Sequence, residues 1–486
     1  MQELELPEEL LLNAWLDGTG SVAGKLASNP LAWIHAKTML PPPETWPSKM
    51  LWSEGDPPYH DWRNIRVGWS IVLPPSQGTD EPSPEPSDAP RAIQNLWEAR
   101  CKPPIYRCSL PNSAYPWCLW RCARGEEPQP VHLGSSDFGT GPNAIPYYLL
   151  ICGDPIQISW SWQYLLAARR AVGRLALADL ALHRYVDHLL GDWSKCEANA
   201  RSIVFWSVYK DEDRMTVRMH DAVATKLYAP FDNDADIHNK PFLTGVHATT
   251  EELTKTLARL HPGFVVTTSH GAIGTGAIAD RCKSLGLPVD QYNHRMNPQH
   301  LKDRWSLGGS VWYAHACCSA GTHGVNRYQT LFAPESRANV ALKLAAECGP
   351  TISPLPTSLL EADPPIRAFV GHVDPTFDWT IRDPATGQHL TSPLVAAFYD
   401  RFYQENPIPL GHALNALYHP LGSLYAEDTA LQYQIDTAGV IKPPNQDPKI
   451  VRRFDRRITA LDLQSFVLLG DPTVTRPRNR SHPGEQ

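Results

Sequence analysis

Trp312-Tyr-Ala-His-Ala-Cys-Cys-Ser-Ala-Gly-Thr322, read with Phe264-Val-Val-Thr-Thr-Ser-His-Gly-Ala272, decides the fold. Each stretch opens on apolar and β-branched residues, the composition of a buried strand, and ends in a reactive side chain followed by small residues. One delivers Cys317 and Cys318, the other His270. In an open α/β sheet, reactive groups collect beyond the carboxyl ends of the strands, where loops expose them. A thiol and an imidazole placed there by nearby strands form a nucleophile–base dyad.

The pattern continues on both sides of these stretches. Further strands are predicted at 147–152, 202–208, 307–316, 368–373 and 464–469, besides the one at 264–268. Helical spacing covers 165–190, with Gly173 inside it, and 214–227, 250–260, 339–348 and 392–403. Apolar strands separated by helices predict a mostly parallel central sheet with helices on both faces. Residues 1–75 read as irregular, with a short helix over 4–15. The run Pro74-Pro-Ser-Gln-Gly-Thr-Asp-Glu-Pro-Ser-Pro-Glu-Pro-Ser-Asp-Ala-Pro90 has the composition of a disordered linker. The expected division is an N-terminal region over 1–100, an α/β domain over 101–475 and a polar tail over 476–486.

Composition narrows the function. The 486 residues carry a net charge of −7, which offers no electrostatic case for direct nucleic-acid or membrane binding. No run approaches the roughly 20 apolar residues of a membrane span. Met1-Gln-Glu-Leu-Glu-Leu-Pro-Glu-Glu is acidic where a secretory signal is basic and then apolar, so a cytoplasmic location is expected. Ten unevenly spread cysteines fit reduced thiols better than a disulfide framework.

At the central pair, His270 is the residue to take the thiol proton and return it to a leaving amine. Gly271 leaves room for a substrate backbone, and its N–H is a candidate oxyanion donor. Strand alternation allows only one of Cys317 and Cys318 to face the histidine. His372, Asp374 and Asp378, after the 368–373 strand, are candidate pocket residues. Weaker signals compete. Gly274-Thr-Gly276 with Asp290 is a poor dinucleotide fingerprint, because the glycines do not follow the strand directly. Cys101, Cys108, Cys118, Cys122 and His132 lack the paired spacing of a zinc site. No cofactor is expected.

Thr268-Ser-His-Gly271 and Ala316-Cys-Cys318 resemble the histidine and cysteine motifs of the caspase–gingipain clan. Tyr147-Tyr-Leu-Leu-Ile-Cys-Gly-Asp-Pro155 followed by Arg170-Ala-Val-Gly-Arg-Leu175 resembles the segment before the catalytic pair in gingipain-like peptidases. Val370-Gly-His-Val-Asp374 is similar to the strand after the cysteine in bacterial members, and Val467-Leu-Leu-Gly-Asp-Pro-Thr-Val474 to the close of gingipain-like and CHAT domains. The resemblance covers about 140–475. It implies a caspase-like sandwich and a regulated cysteine endopeptidase that hydrolyses protein substrates through a Cys–His dyad. It suggests bacterial antiviral defence or cell death as the setting, with an activating protein or protease as partner. The same fold without catalysis, as an interaction or sensor module, is the alternative. Aligning Ala-Cys with the clan selects Cys317; counting Cys-x-x-Gly back from Gly321 selects Cys318. Cys317 is preferred. The chain departs from the arginine-specific members in having no carboxylate over 155–172, so preference for a basic residue is unsupported there. Activation by cutting is expected at 74–90 or in a loop over 431–464, which contains Lys442 and Arg452–Arg457.

Overall fold

The computed structural model describes residues 5–36, 57–76, 82–109, 117–306, 308–382, 387–404, 408–438 and 446–478, with 406 and 443. The tail over 479–486, Lys442 and residues 77–81 lie outside the described residues.

Strands β1 (Glu9–Leu16) and β2 (Gly20–Lys25) form an N-terminal hairpin. Then follow β3 (Trp69–Leu73), β4 (Ile105–Cys108), β5 (Cys118–Cys122), β6 (Gln129–His132), β7 (Tyr148–Cys152) and β8 (Ala171–Leu175). The second half contains β9 (Asn199–Ser207), β10 (Phe242–Thr244), β11 (Pro262–Thr268), β12 (Gly271–Ile273) and β13 (Val311–His315). It closes with the short β14 (Gly321–Thr322) and β15 (Thr351–Ile352), then β16 (Ala368–His372) and β17 (Phe466–Gly470).

Twelve of these make one sheet in the order β10-β9-β11-β13-β16-β17-β8-β7-β3-β4-β5-β6. Its pairs are parallel except β16/β17, β4/β5 and β5/β6. The α/β class and the mostly parallel sheet expected from the alternation are therefore present. Strands β7, β8, β11, β13, β16 and β17 are buried along their whole length. That explains why they read as continuous apolar runs: a parallel sheet covered on both sides leaves no polar face.

The helical reading of 165–190 is corrected. A helix ends at Ala167, β8 spans Ala171–Leu175, and a second helix runs Asp179–Leu190. Gly173 is the reason. A Cβ there would lie 2.1 Å from the carbonyl oxygen of Gly470, so the glycine lets β8 pack close to β17. The loop expected over 431–464 is corrected too. Helices Leu421–Ala438 and Pro448–Ser465 occupy most of it, and Arg452–Arg457 lie inside the second. The described ends of the proline-rich run follow β3 and precede helix Arg91–Ala99. The second end is anchored, because Arg107 makes a two-pronged pair with Asp88.

The expected helix over 4–15 is instead strand β1. Its inward residues Leu10, Leu12, Ala14 and Leu16 are all buried. They build a second apolar cluster with Trp33, Phe377, Phe454, Cys317 and Cys318. Burial of each leucine is worth about 2 kcal/mol, so the hairpin is a docked part of the fold.

Candidate active site

Strands β11 and β13 pair in parallel, with Thr268 opposite His315. His270 and Cys317 each lie two residues further on, so both leave the same edge of the sheet. Gly271 makes the close approach feasible: a Cβ there would sit 1.9 Å from the Cys317 carbonyl oxygen. Gly286 crowds Cys318 in the same way, with a virtual Cβ 2.0 Å from its carbonyl oxygen. The Cys317–Cys318 turn is held between two glycines.

The imidazole of His270 faces a partner that sequence reading missed. Its Nε2 lies 2.6 Å from Asp213 Oδ2. Asp213 stands beyond β9 and also caps the helix Arg214–Met219, its Oδ1 accepting from the amides of Met215 and Thr216. Burial opposes the charge on Asp213, yet the hydrogen bond and charge of His270, with a hydrogen bond from Ser21, hold its carboxyl below the usual range. An ionised carboxylate only accepts, so Nε2 carries the proton that faces it, and in the neutral form of the ring the lone pair is on Nδ1. Nδ1 is buried and has no hydrogen-bond partner among the described residues. An Asp just before a helical run is an N-cap signal legible in sequence, but it does not report what else the carboxylate touches.

Position in the sheet adds to this. The chain leaves β9 for β10 on one side and returns to β11 on the other. Such a reversal opens a crevice beyond the strand ends, where open α/β sheets bind ligands. Asp213 and His270 follow the two strands that flank it.

Cys317 has its side-chain hydrogen bonds elsewhere, with Thr376. Its Sγ accepts from the Thr376 amide at 3.2 Å and donates to the Thr376 carbonyl at 3.6 Å. Among the described residues no hydrogen bond joins His270 to either cysteine. Both thiols are wholly buried. Burial pushes the Cys317 thiol well up, outweighing the help of the Thr376 amide, and does the same to Cys318. Cys318 has left-handed backbone, φ 54°, and its amide donates to the Asp374 carbonyl at 3.0 Å. The Cys317 amide donates instead to the Asn13 carbonyl at 3.1 Å.

The remaining candidates separate. Asp378 reaches the N-terminal strand, accepting from the Leu11 amide at 2.9 Å and pairing with Arg218. Asp374 shapes the loop after the cysteines, its Oδ1 accepting from Thr322 Oγ1 and the His323 amide. His372 is corrected from a cleft residue to a core residue. It is 3 % exposed and packs edge-on against His315 and Phe466. Asp290 does not await a ribose: its carboxylate accepts from the amides of Tyr292, His294 and Thr250. Cys108, Cys118 and Cys122 are buried on the β4–β5 ribbon as apolar side chains. Among the described residues no set of three or more His, Cys, Asp or Glu side chains is grouped to hold a metal, and no helix is long and apolar enough to cross a membrane.

His372, His315 and Asp462 form a buried titrating group, with His372 Nδ1 3.8 Å from Asp462 Oδ1. That is too long for a hydrogen bond. Burial lowers His315 to about 4 and, with the neighbouring His315 charge, lowers His372 well below its ordinary value. Burial also lowers His412, elsewhere in the fold, to about 4. Unfolding returns all three to about 6.5, so between about 6.5 and 4 the unfolded chain holds more protons and stability is lost as the pH is lowered. Asp462 works in the opposite sense over part of that window. Burial raises it to about 6 against hydrogen bonds from Thr380 and Thr376, so the folded chain takes up its proton first. Three histidines outweigh one carboxyl. The urea midpoint is expected to fall from pH 7 to pH 5; a midpoint that rises on acidification contradicts this assignment.

The N-terminal hairpin closes over these groups. Strand β1 pairs in parallel with β12, Ala14 opposite Gly271. From β2, Ser21 Oγ reaches Asp213 Oδ2 at 2.5 Å and lies 3.4 Å from His270 Nε2. Ser21 carries no motif that would have marked it in the sequence. Compared with family models, curated proteins and solved structures, the chain matches none of them.

Proposed function

We propose that the chain is a cysteine endopeptidase of the caspase–gingipain kind, with Cys317 as nucleophile, His270 as base and Asp213 as the group that orients the base. The observation that carries this reading is the buried Asp213–His270 pair, whose Nδ1 has no partner among the described residues, beside strand β13, with Cys317 two residues beyond its end. In the reaction, His270 Nδ1 takes the thiol proton and sulfur bonds to the carbonyl carbon of the substrate. The Cys317 amide stabilises the oxyanion. Collapse breaks the C–N bond, His270 protonates the leaving amine, and water hydrolyses the thioester. The buried, protonated thiol and its Thr376 contacts mean that sulfur must turn toward the imidazole before it reacts. A caspase-like sandwich is the fold that this reading entails.

The buried thiol also supports the second reading, a module that keeps the fold without catalysis. The two part on one experiment. The full chain is incubated with an unfolded protein and the digest is read by mass spectrometry. New fragments that vanish with His270→Ala are expected; fragments that persist with it, or none with wild type, favour the second reading.

A further inference from the structure

We infer that the chain's own Asn13–Ala14 peptide bond occupies the scissile position of this site, which therefore recognises asparagine on the carbonyl side of the bond it cuts. The inference rests on the peptidase reading and adds to it a substrate class and a self-cleavage site.

The argument starts from how β1 crosses the strand ends. Its first half lies against the segment after β16: the Leu11 amide binds Asp378 Oδ1, Leu12 bridges antiparallel to Phe377, and the Asn13 amide donates to the Thr376 carbonyl at 3.0 Å. Its second half lies against the segment after His270, with Ala14, Trp15 and Leu16 parallel to Gly271, Ala272 and Ile273. The strand changes walls between Asn13 and Ala14. That step coincides with a break in its pairing to β2, which shifts register between Leu12 and Trp15. Bulges of this kind re-aim single residues beside active sites. Here the bulge turns the Asn13 carbonyl to the Cys317 amide, 3.1 Å away. A carbonyl held by the backbone N–H of the nucleophile's own residue is where an oxyanion would be stabilised. An extended segment of this chain thus runs through the cleft as a substrate strand would.

The side chain of Asn13 gives the specificity. It is wholly buried, and its Nδ2 donates to the His315 carbonyl at 3.2 Å. The His315 carbonyl also accepts from the Ser269 amide at 3.3 Å, and its second lone pair is left for a side-chain donor. Aspartate offers none and brings a charge, an aliphatic side chain offers none, and glutamine is one methylene too long. Asn13 Oδ1 is buried without a partner among the described residues, so the pocket reads the amide through its N–H. Cleavage would bond Cys317 sulfur to the Asn13 carbonyl carbon, release the Ala14 amine with the proton from His270, and let water free the Asn13 carboxylate. Residues 1–13 would then be untethered, and another peptide could take their place.

Two measurements on the full chain test this. Intact mass spectrometry of wild type is expected to show a species beginning at Ala14, absent from Cys317→Ala and from Asn13→Gln. Fluorogenic peptides ending in Leu-Leu-Asn, Leu-Leu-Asp, Leu-Leu-Gln and Leu-Leu-Arg are compared in parallel, so the result does not hang on the folding of a variant. The asparagine peptide is expected to be cut about 100-fold faster than the others or more, since a site built around one hydrogen bond rejects analogues lacking it. Faster cutting of another peptide, dependent on Cys317, overturns the inference and leaves the peptidase reading intact. An uncut N-terminus with no peptide cleaved overturns both.

Discussion

Cys317→Ala is expected to lower peptide cleavage by the full chain by about 10⁴-fold or more, while Cys318→Ala keeps a measurable fraction; removing a member of a catalytic unit costs on this scale. The two cysteines are adjacent and equally buried, so exposure does not rank them. Their backbones do. The Cys317 amide points at the Asn13 carbonyl, and its sulfur touches Thr376 on the wall that carries the N-terminal strand. Cys318 turns through left-handed backbone, directs its amide to Asp374, and has its carbonyl bound by Ser353 Oγ at 2.5 Å. Its side chain lies in the apolar cluster beneath the hairpin. Truncating it should cost about 1–2 kcal/mol of stability through lost packing. Cleavage rates and thermal unfolding are measured together, so a folding defect is told apart from a catalytic one. The opposite ranking of the two variants moves the nucleophile to Cys318.

Asp213→Asn is expected to lower kcat by about 10³–10⁴ while KM changes little, because losing the carboxylate that fixes a catalytic tautomer removes the base without disturbing substrate contacts. The asparagine retains an oxygen for the amides of Met215 and Thr216, so the helix start survives. What changes is the group facing His270 Nε2. A carboxylate accepts only, whereas an amide can turn its NH2 toward the ring and stabilise a proton on Nδ1 instead. That proton occupies the lone pair the thiol needs. Asp213→Ala is the control, losing the cap as well at about 1 kcal/mol. If Asp213→Asn stays within about threefold of wild-type kcat, Asp213 is a helix cap alone.

How far the site could be read depended on distance along the chain. His270 and the Cys317–Cys318 pair were legible as candidates because each ends a local pattern: an apolar run, a reactive residue, then small residues. Gly271 was legible as a point of close approach, although its main contact is the Cys317 backbone. Asp213 was not, because its partner lies 57 residues away. Ser21 and Asn13 lie more remotely still, in a region that read as irregular.

By itself the sequence determined the class of the fold and the edge of the sheet that carries the reactive groups. Continuous apolar strands can only be satisfied by a sheet covered on both sides, and parallel neighbours send their ends to one edge. The tertiary structure alone decided three matters. Gly173 belongs to a strand because the Gly470 carbonyl leaves no room for a side chain. Residues 9–16 suit a helix or a strand by their apolar spacing, and became β1 because Phe377 and β12 offer backbone partners along its length. The third is where β1 lies, its Asn13 carbonyl on the Cys317 amide across a separation of about 300 residues. Local propensity carries no information over such distances; only the packed sheet, with its strand ends exposed at one edge, brings the two together.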